Sequence, residues 1–187
     1  KAVVLNHHNF TSIIAASRDR LPLHDGERSV VFLPLAHVLQ RFTIYRGLVE
    51  HTLGWFSPSI AALPETIRIS RPHVLATVPR MLEKIRAQIE ATAAQKSPRA
   101  RSILDWAIAV GRTVNEKRWT GKHVGIRLKA QHALAERLVA TKVRHGLGGH
   151  LRLMISGGAA LDPDLATWFE ALGIAVREGW GLSETTA

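Results

Sequence analysis

The chain of 187 residues has no cysteine, so disulfides, thiolate nucleophiles and cysteine-based metal sites are excluded. It has no apolar run near the roughly 18 residues that a spanning helix needs. Its first residues lack the basic, apolar and small-residue order of a secretory signal. A cytoplasmic location is therefore expected, with any membrane contact peripheral and at the cytosolic face. Neither an HExxH pair nor a CxxC is present, so ten histidines do not by themselves make a metal site. Zinc-finger spacing and RNA-recognition aromatic motifs are missing too, which makes nucleic acid the weakest partner for so basic a chain.

Acidic residues are scarce in one place. The net charge is +10, yet Arg80 to Arg152 carries 16 Lys/Arg against 5 Asp/Glu, while the rest of the chain is slightly acidic. The basic section at 80–150 reads as helical. Its field suits an anionic membrane surface or the phosphates of a coenzyme, and equally a solvated basic face. At 46% hydrophobic, the chain has enough apolar material for one sizeable core. It shows no internal repeat and no low-complexity linker.

Periodicity gives an α/β chain. Helices are expected over Phe10–Arg18, over Val38–Leu53 with Gly54 closing it, and over Glu65–Ile69. Strands are expected at Ser29–Leu33 and His73–Val78. After Pro79, a helix start, Leu82, Ile85, Ile89 and Ala93 keep one face apolar as far as Pro98. A second long helix carries Ile103, Trp106, Val110 and Val114, and a third runs from about Ile126 to Val143. Gly146-Leu147-Gly148-Gly149 breaks the pattern. Trp106, Trp119 and Trp168 are read as core or interface residues.

The last thirty residues hold the strongest signal. Leu151–Ile155 reads as a buried strand feeding the glycine loop Ser156-Gly157-Gly158-Ala159-Ala160-Leu161. Asp162 as N-cap, Pro163 at the first helical position and Asp164 in the first turn then open a helix that stops at Gly173. Ile174–Val176 returns as a strand parallel to the first. Both following loops therefore emerge at the same carboxyl edge of the sheet. The second loop is Glu178-Gly179-Trp180-Gly181-Leu182-Ser183-Glu184-Thr185-Thr186. Glycines without a Cβ admit a ring or phosphate close to the backbone, and Trp180 offers a stacking face. Ser183 can donate to a phosphate oxygen, and Glu184 is a hard ligand suited to Mg²⁺. Taken singly, each residue would also serve as a turn glycine, a core aromatic or a solvated carboxylate. The joint pattern favours a nucleotide site.

These two motifs resemble the adenine-binding glycine-alanine loop and the aromatic-Gly-x-Thr-Glu-Thr signature of the adenylate-forming enzymes. Leu33-Pro34-Leu35-Ala36-His37 resembles that family's proline-histidine motif beside the acyl pocket. Arg71-Pro72-His73, continuing through Thr77-Val78-Pro79-Arg80-Met81-Leu82-Glu83-Lys84-Ile85, resembles the "RPT…GVPRVFEKI" stretch of the long-chain fatty acyl-CoA synthetase branch. Lys1 to Phe10 resembles the "PKGVVLTHRNF" that follows the family's phosphate loop, with Ala2 at a usual glycine.

The resemblance implies an α/β fold, part of the N-terminal domain of an adenylate-forming enzyme, with parallel strands and packed helices. Residues 1–187 would be one incomplete AMP-binding segment, lacking the phosphate loop and the C-terminal domain. The implied activity is ATP-dependent conversion of a long-chain fatty acid to acyl-AMP, then transfer to coenzyme A. The fragment alone would be inactive. Gly157, Gly158, Ala159, Ala160, Glu178, Gly179, Trp180, Gly181 and Ser183 would bind nucleotide, and Glu184 would hold Mg²⁺. His37 would orient or gate the acyl carboxylate, and Ser183 and Glu184 would serve the chemistry. Trp180 and Ser183 replace the commoner Tyr and Thr. Two alternatives stay open: a fatty acyl-AMP ligase acting with a carrier protein, and a truncated, non-catalytic nucleotide- or lipid-binding protein.

Overall fold

The computed structural model describes residues 3–186. The readings of Lys1 and of Ala2 at a glycine position lie outside the described residues. Five short parallel strands form one sheet in the order β2-β1-β3-β4-β5. They are β1 (Arg28–Val31), β2 (Leu53–Phe56), β3 (Val74–Thr77), β4 (Leu153–Gly157) and β5 (Ala175–Gly179). Helix α1 (His7–Ser17) precedes the sheet, α2 (Val38–Val49) joins β1 to β2, and α3 (Leu63–Ser70) joins β2 to β3. Between β3 and β4 come α4 (Pro79–Lys96), α5 (Pro98–Trp119), α6 (Ile126–Ala135) and α7 (Thr141–Gly146), and α8 (Pro163–Glu170) joins β4 to β5.

The chain moves outward from β1 to β2, then back past β1 to β3. Right-handed crossovers in opposite directions put their helices on opposite faces of a sheet. Accordingly α3 packs Leu63 and Ile67 with Val30, Leu75 and Met154, and α4, α5 and α8 join the same cluster. On the other face lie α1 and α2. Register fixes the division: Leu75 pairs with Met154 and Met154 with Val176, all toward the first face, whereas Val74, Leu153 and Ala175 face the second. Gly111 lets α5 approach α8 closely, since a Cβ there would lie 2.3 Å from the Ala171 carbonyl oxygen.

Several expectations need correction. The second helix ends at Val49, and Leu53-Gly54-Trp55-Phe56 is edge strand β2, so Gly54 does not close a helix. The signal was ambiguous because all four β2 residues are exposed and show no alternation. The reversal falls at His51, which takes a positive φ of 54°. In α5 the inward face is Leu104, Ala107, Ile108, Gly111 and Val114, with Val110, and Ile103 turns outward. The helix begun at Ile126 passes through a π turn, Glu136–Ala140, before α7. Strands β4 and β5 run to Gly157 and Gly179, later than their apolar runs indicate. Trp168 is core and Trp106 packs at its margin, but Trp119 is exposed.

Candidate functional site

Strand order reverses at β1 and β3, and in such sheets ligands bind outside the carboxyl ends at the switch point. Four loops meet there: those after β1, β3, β4 and β5. A Cβ built on Gly158 would lie 3.9 Å from Cε1 and Nε2 of His37 and from Cγ1 of Val78. The glycine loop after β4 thus sits against the loops that end β1 and β3, on either side of the switch.

His37 is placed by its own chemistry. It is the N-cap of α2, and its Nδ1 accepts the Leu39 N–H at 3.3 Å. An accepting Nδ1 assigns the proton of the neutral ring to Nε2. That nitrogen faces Gly158, so the ring presents a donor to the glycine loop.

The two loop glycines have different duties. Gly157 is enclosed: a Cβ would come 3.1 Å from Leu39 Cδ2 and 3.3 Å from the Gly179 carbonyl oxygen. Its missing side chain lets α2 pack on the strand ends. Gly158 is exposed and takes φ +83°, a backbone that glycine alone adopts freely, and the loop continues exposed through Ala159 and Ala160.

The second motif is tied to the first by a bond that sequence patterning does not reveal. Glu178 Oε1 accepts the Leu161 N–H at 2.8 Å, from the end of β5 to the end of the glycine loop. The start of α8 is fixed as well. Asp162 caps it through the Asp164 N–H at 2.8 Å. Asp164 receives Arg86 at 2.8 Å and Arg112 at 2.7 Å, and the Arg86 hydrogen bond leads the effects that hold its carboxyl below the usual range. Arg86 also stacks 5.6 Å from the Trp168 ring centroid.

Beyond Gly179, Trp180 is 83% exposed, with a free indole face. Gly181 and Leu182 lead into a 3₁₀ turn, Ser183–Thr185, which leaves Ser183 and Glu184 exposed. Thr186 buries behind it in the left-handed region and donates its N–H to the Ser183 carbonyl at 3.3 Å. Among the described residues no group of three His, Asp or Glu could enclose a metal. A lone exposed carboxylate does fit Mg²⁺ held mainly by phosphate oxygens and water.

Below α2 lies a cavity of about 280 Å³. Val31, Phe42, Phe56, Val74, Ala76 and Ile155 give it apolar walls. Its polar neighbours face each other or the backbone. Gln40 accepts the Leu33 N–H and donates to Thr43 Oγ1. Arg46, 1% exposed, donates to Ser17 O, Ser17 Oγ and Leu21 O, and burial leads the effects that pull its pKa down. Glu27 forms two bonds with Arg152, each 2.6 Å, at the amino edge of the sheet. On the opposite face, the paired Thr77 and Ser156 have fully buried hydroxyls without protein partners, a place suited to ordered water. Neither Arg46 nor this hydroxyl pair had a recognisable pattern in sequence.

The AMP-binding enzyme family matches residues 1–187. The chain belongs to that family. Among similar family members, the long-chain-fatty-acid-CoA ligase FadD15 of Mycobacterium tuberculosis is 34% identical over 194 residues, covering 100% of this chain and 31% of its own length. The human long-chain-fatty-acid-CoA ligase ACSBG2 is 32% identical over 192 residues, covering 100% of this chain and 28% of its own. This AMP-binding chain therefore spans about a third of these relatives. In fold it is similar to the N-terminal domain of FACL13 from Mycobacterium tuberculosis, with a TM-score of 0.62 at 17% identity over 100% of this chain and 34% of that one. The adenylation domain of a carboxylate reductase from Mycobacterium chelonae gives 0.64 at 19% identity, over 93% and 23%. No helix among the described residues is long and apolar enough to cross a membrane.

Proposed function

We propose that the chain is part of the adenylating domain of a long-chain fatty acid-CoA ligase. A carboxylate oxygen of the fatty acid attacks the α-phosphorus of ATP, and the bond to pyrophosphate breaks. The thiol sulfur of coenzyme A then attacks the acyl carbonyl, and AMP leaves. What supports this reading is the meeting of His37 and Gly158 at the switch point, with the apolar cavity on one side of α2 and the two nucleotide motifs at its N-terminus.

In this arrangement the adenine lies between the exposed Gly158-Ala159-Ala160 backbone and the free face of Trp180. Glu178 and Gly179 frame that slot from β5, and Gly181 lets the chain turn away from it. The acyl chain takes the cavity under α2. Its carboxylate comes to His37, whose Nε2–H can donate to an oxygen and orient it toward the phosphate. Ser183 donates to a phosphate oxygen. Glu184 would hold Mg²⁺, which when bound neutralises phosphate charge. The residues therefore act through positioning and charge, the two terms on which phosphoryl-centre substitution depends. Residues 1–187 form one unit of a larger domain, in which 80–150 is the basic helical part. The relatives' unmatched sequence supports a further proposal, that these residues alone give no turnover.

The test is fatty-acid-dependent pyrophosphate release by the full-length protein, with and without coenzyme A, beside Glu184→Ala. Release with acyl-CoA formation, lowered at least about a hundredfold in the variant, is the expected result, equivalent to about 2.7 kcal/mol. Release without acyl-CoA would favour the carrier-dependent acyl-AMP ligase. No release with any chain length would overturn the enzymatic reading.

A further inference from the structure

The cavity under α2 contains a cation without a counter-charge among the described residues. Arg46 belongs to its lining and is almost fully buried. Its Nη1 donates to the Ser17 carbonyl at 2.9 Å and to Ser17 Oγ at 2.7 Å. Its Nη2 donates to the Arg18 carbonyl at 3.4 Å and to the Leu21 carbonyl. These bonds tie the end of α1 to α2, which explains four of the five donors. The fifth is left over: Nε is buried and has no hydrogen-bond partner among the described residues. A guanidinium stays charged at neutral pH, and every oxygen that Arg46 meets is neutral.

The carboxylates nearby are committed elsewhere. Glu50 pairs with Arg18 at 2.9 Å, and Glu27, also in the lining, takes two bonds from Arg152. No ion pair among the described residues includes Arg46. Arg28 adds a second cation to the lining, its Nε given to the Arg71 carbonyl. A buried charge is costly unless it is both paired and hydrogen-bonded. Position then points to the missing partner. Arg46 follows His37 by nine residues along α2, about 14 Å at the helical rise. Between them the walls are apolar, with Val31, Phe42, Phe56, Ala76 and Ile155. A linear molecule that brings one carboxylate to His37 and crosses this stretch reaches Arg46 with its other end. A terminal methyl there leaves the Nε–H desolvated and unpaired, whereas a second carboxylate accepts it and neutralises the charge.

We infer that the far end of the cavity is an anion subsite headed by Arg46, and that the acids taken there are α,ω-dicarboxylic. The inference deepens the proposed acyl role of the cavity and rests on it for the end at His37. At roughly 1.3 Å advanced per C–C bond, an extended chain of about twelve carbons spans the distance between the two residues.

The experiment compares dodecanedioic acid with dodecanoic acid on the full-length protein, by calorimetric titration without ATP and by pyrophosphate release with it. The diacid should bind about tenfold more tightly. It should be preferred in pyrophosphate release by a similar ratio. In Arg46→Met, which keeps much of the length and removes the charge, the ratio should invert, because the second carboxylate then has no partner. Each ratio is taken within one preparation, so partial unfolding of the variant cancels from it. The monomethyl ester of the diacid needs no variant: it keeps the length without the second charge and should bind more weakly than the diacid. Equal binding of diacid and monoacid would overturn the inference, with water alone satisfying Nε. So would a diacid preference that survives Arg46→Met, or an ester that binds as tightly as the diacid. If neither acid drives pyrophosphate release while the calorimetric preference and its dependence on Arg46 hold, the ligase reading falls and the anion subsite stands.

Discussion

The two faces of the sheet are built to different densities. One carries a continuous cluster from Val30 and Leu63 through Leu75, Met154 and Phe169 to Ile174 and Val176, closed by α3, α4, α5 and α8. The other carries a cluster of Val74, Leu153 and Ile155, and beside it the cavity under α2. Protein interiors are ordinarily packed like organic crystals, so a space of about 280 Å³ sets this face apart from the other. The packed face holds the strand ends and α8 rigid. The open face leaves room beside α2.

The comparison breaks most readily with paired truncations. Phe169→Ala, at a fully buried position on the packed face, should cost about 3–5 kcal/mol. Phe42→Ala, at the cavity wall, should cost less than half as much, because a side chain beside a void already lacks contacts on one side. Denaturant midpoints at constant slope measure both. Equal losses would mean that the two faces are equally filled.

Enlargement runs the other way. Ala107→Leu in α5 should cost about 1–3 kcal/mol by overpacking, whereas Ala76→Leu should be near neutral because its side chain enters the cavity. In the full-length protein, the proposed ligase activity of Ala76→Leu should also shift in preference toward shorter acyl chains. An unchanged chain-length profile would remove the cavity from the proposed acyl site.

Charge, more than packing, fastens the open face at its amino edge. Burial alone would raise the Glu27 pKa, but the Arg152 hydrogen bonds and charge, with the His24 N–H, bring it below its ordinary value. A depressed folded pKa gives stabilisation that is complete above the unfolded value of about 4.3. It is lost as pH falls through the lower, folded value. Glu27→Gln should cost about 1–2 kcal/mol near neutral pH and flatten the acid limb of the stability profile. Parallel profiles for the two proteins would show that the pair does not control that limb.

What sequence could reveal follows from the range of the forces. The β4–α8–β5 unit was legible because its cap, proline and glycine signals are local: Asp162 caps, Pro163 opens and Gly173 takes φ +78°. The same holds for Pro79 at the head of α4. Strand β2 was hidden because an edge strand exposed on both faces has no alternation. The cavity, buried Arg46 and the Thr77–Ser156 hydroxyl pair arise between elements distant in the chain, and nothing local encodes them. At the site, the residue types in the two loops were readable. The contact of His37 with Gly158 and the Glu178–Leu161 bond required the assembled sheet edge.

That last bond gives the smallest expected effect and the sharpest separation of the two faces. Helix α8 is anchored on the packed side by Trp168, Arg86 and Arg112, so the helix itself does not need Glu178. The glycine loop ahead of it does, since Glu178 links Leu161 to the β5 end that carries Trp180. Glu178→Ala should therefore lower stability by only about 0.5–1 kcal/mol. It should raise the KM for ATP about three- to fivefold with kcat little changed, the pattern of lost uniform binding. Glu178→Gln retains an accepting Oε1 and should restore the KM, which a purely electrostatic role would not allow. If alanine leaves the KM unchanged, the packed face alone positions the loop, and the division of labour between the faces extends to the proposed nucleotide site.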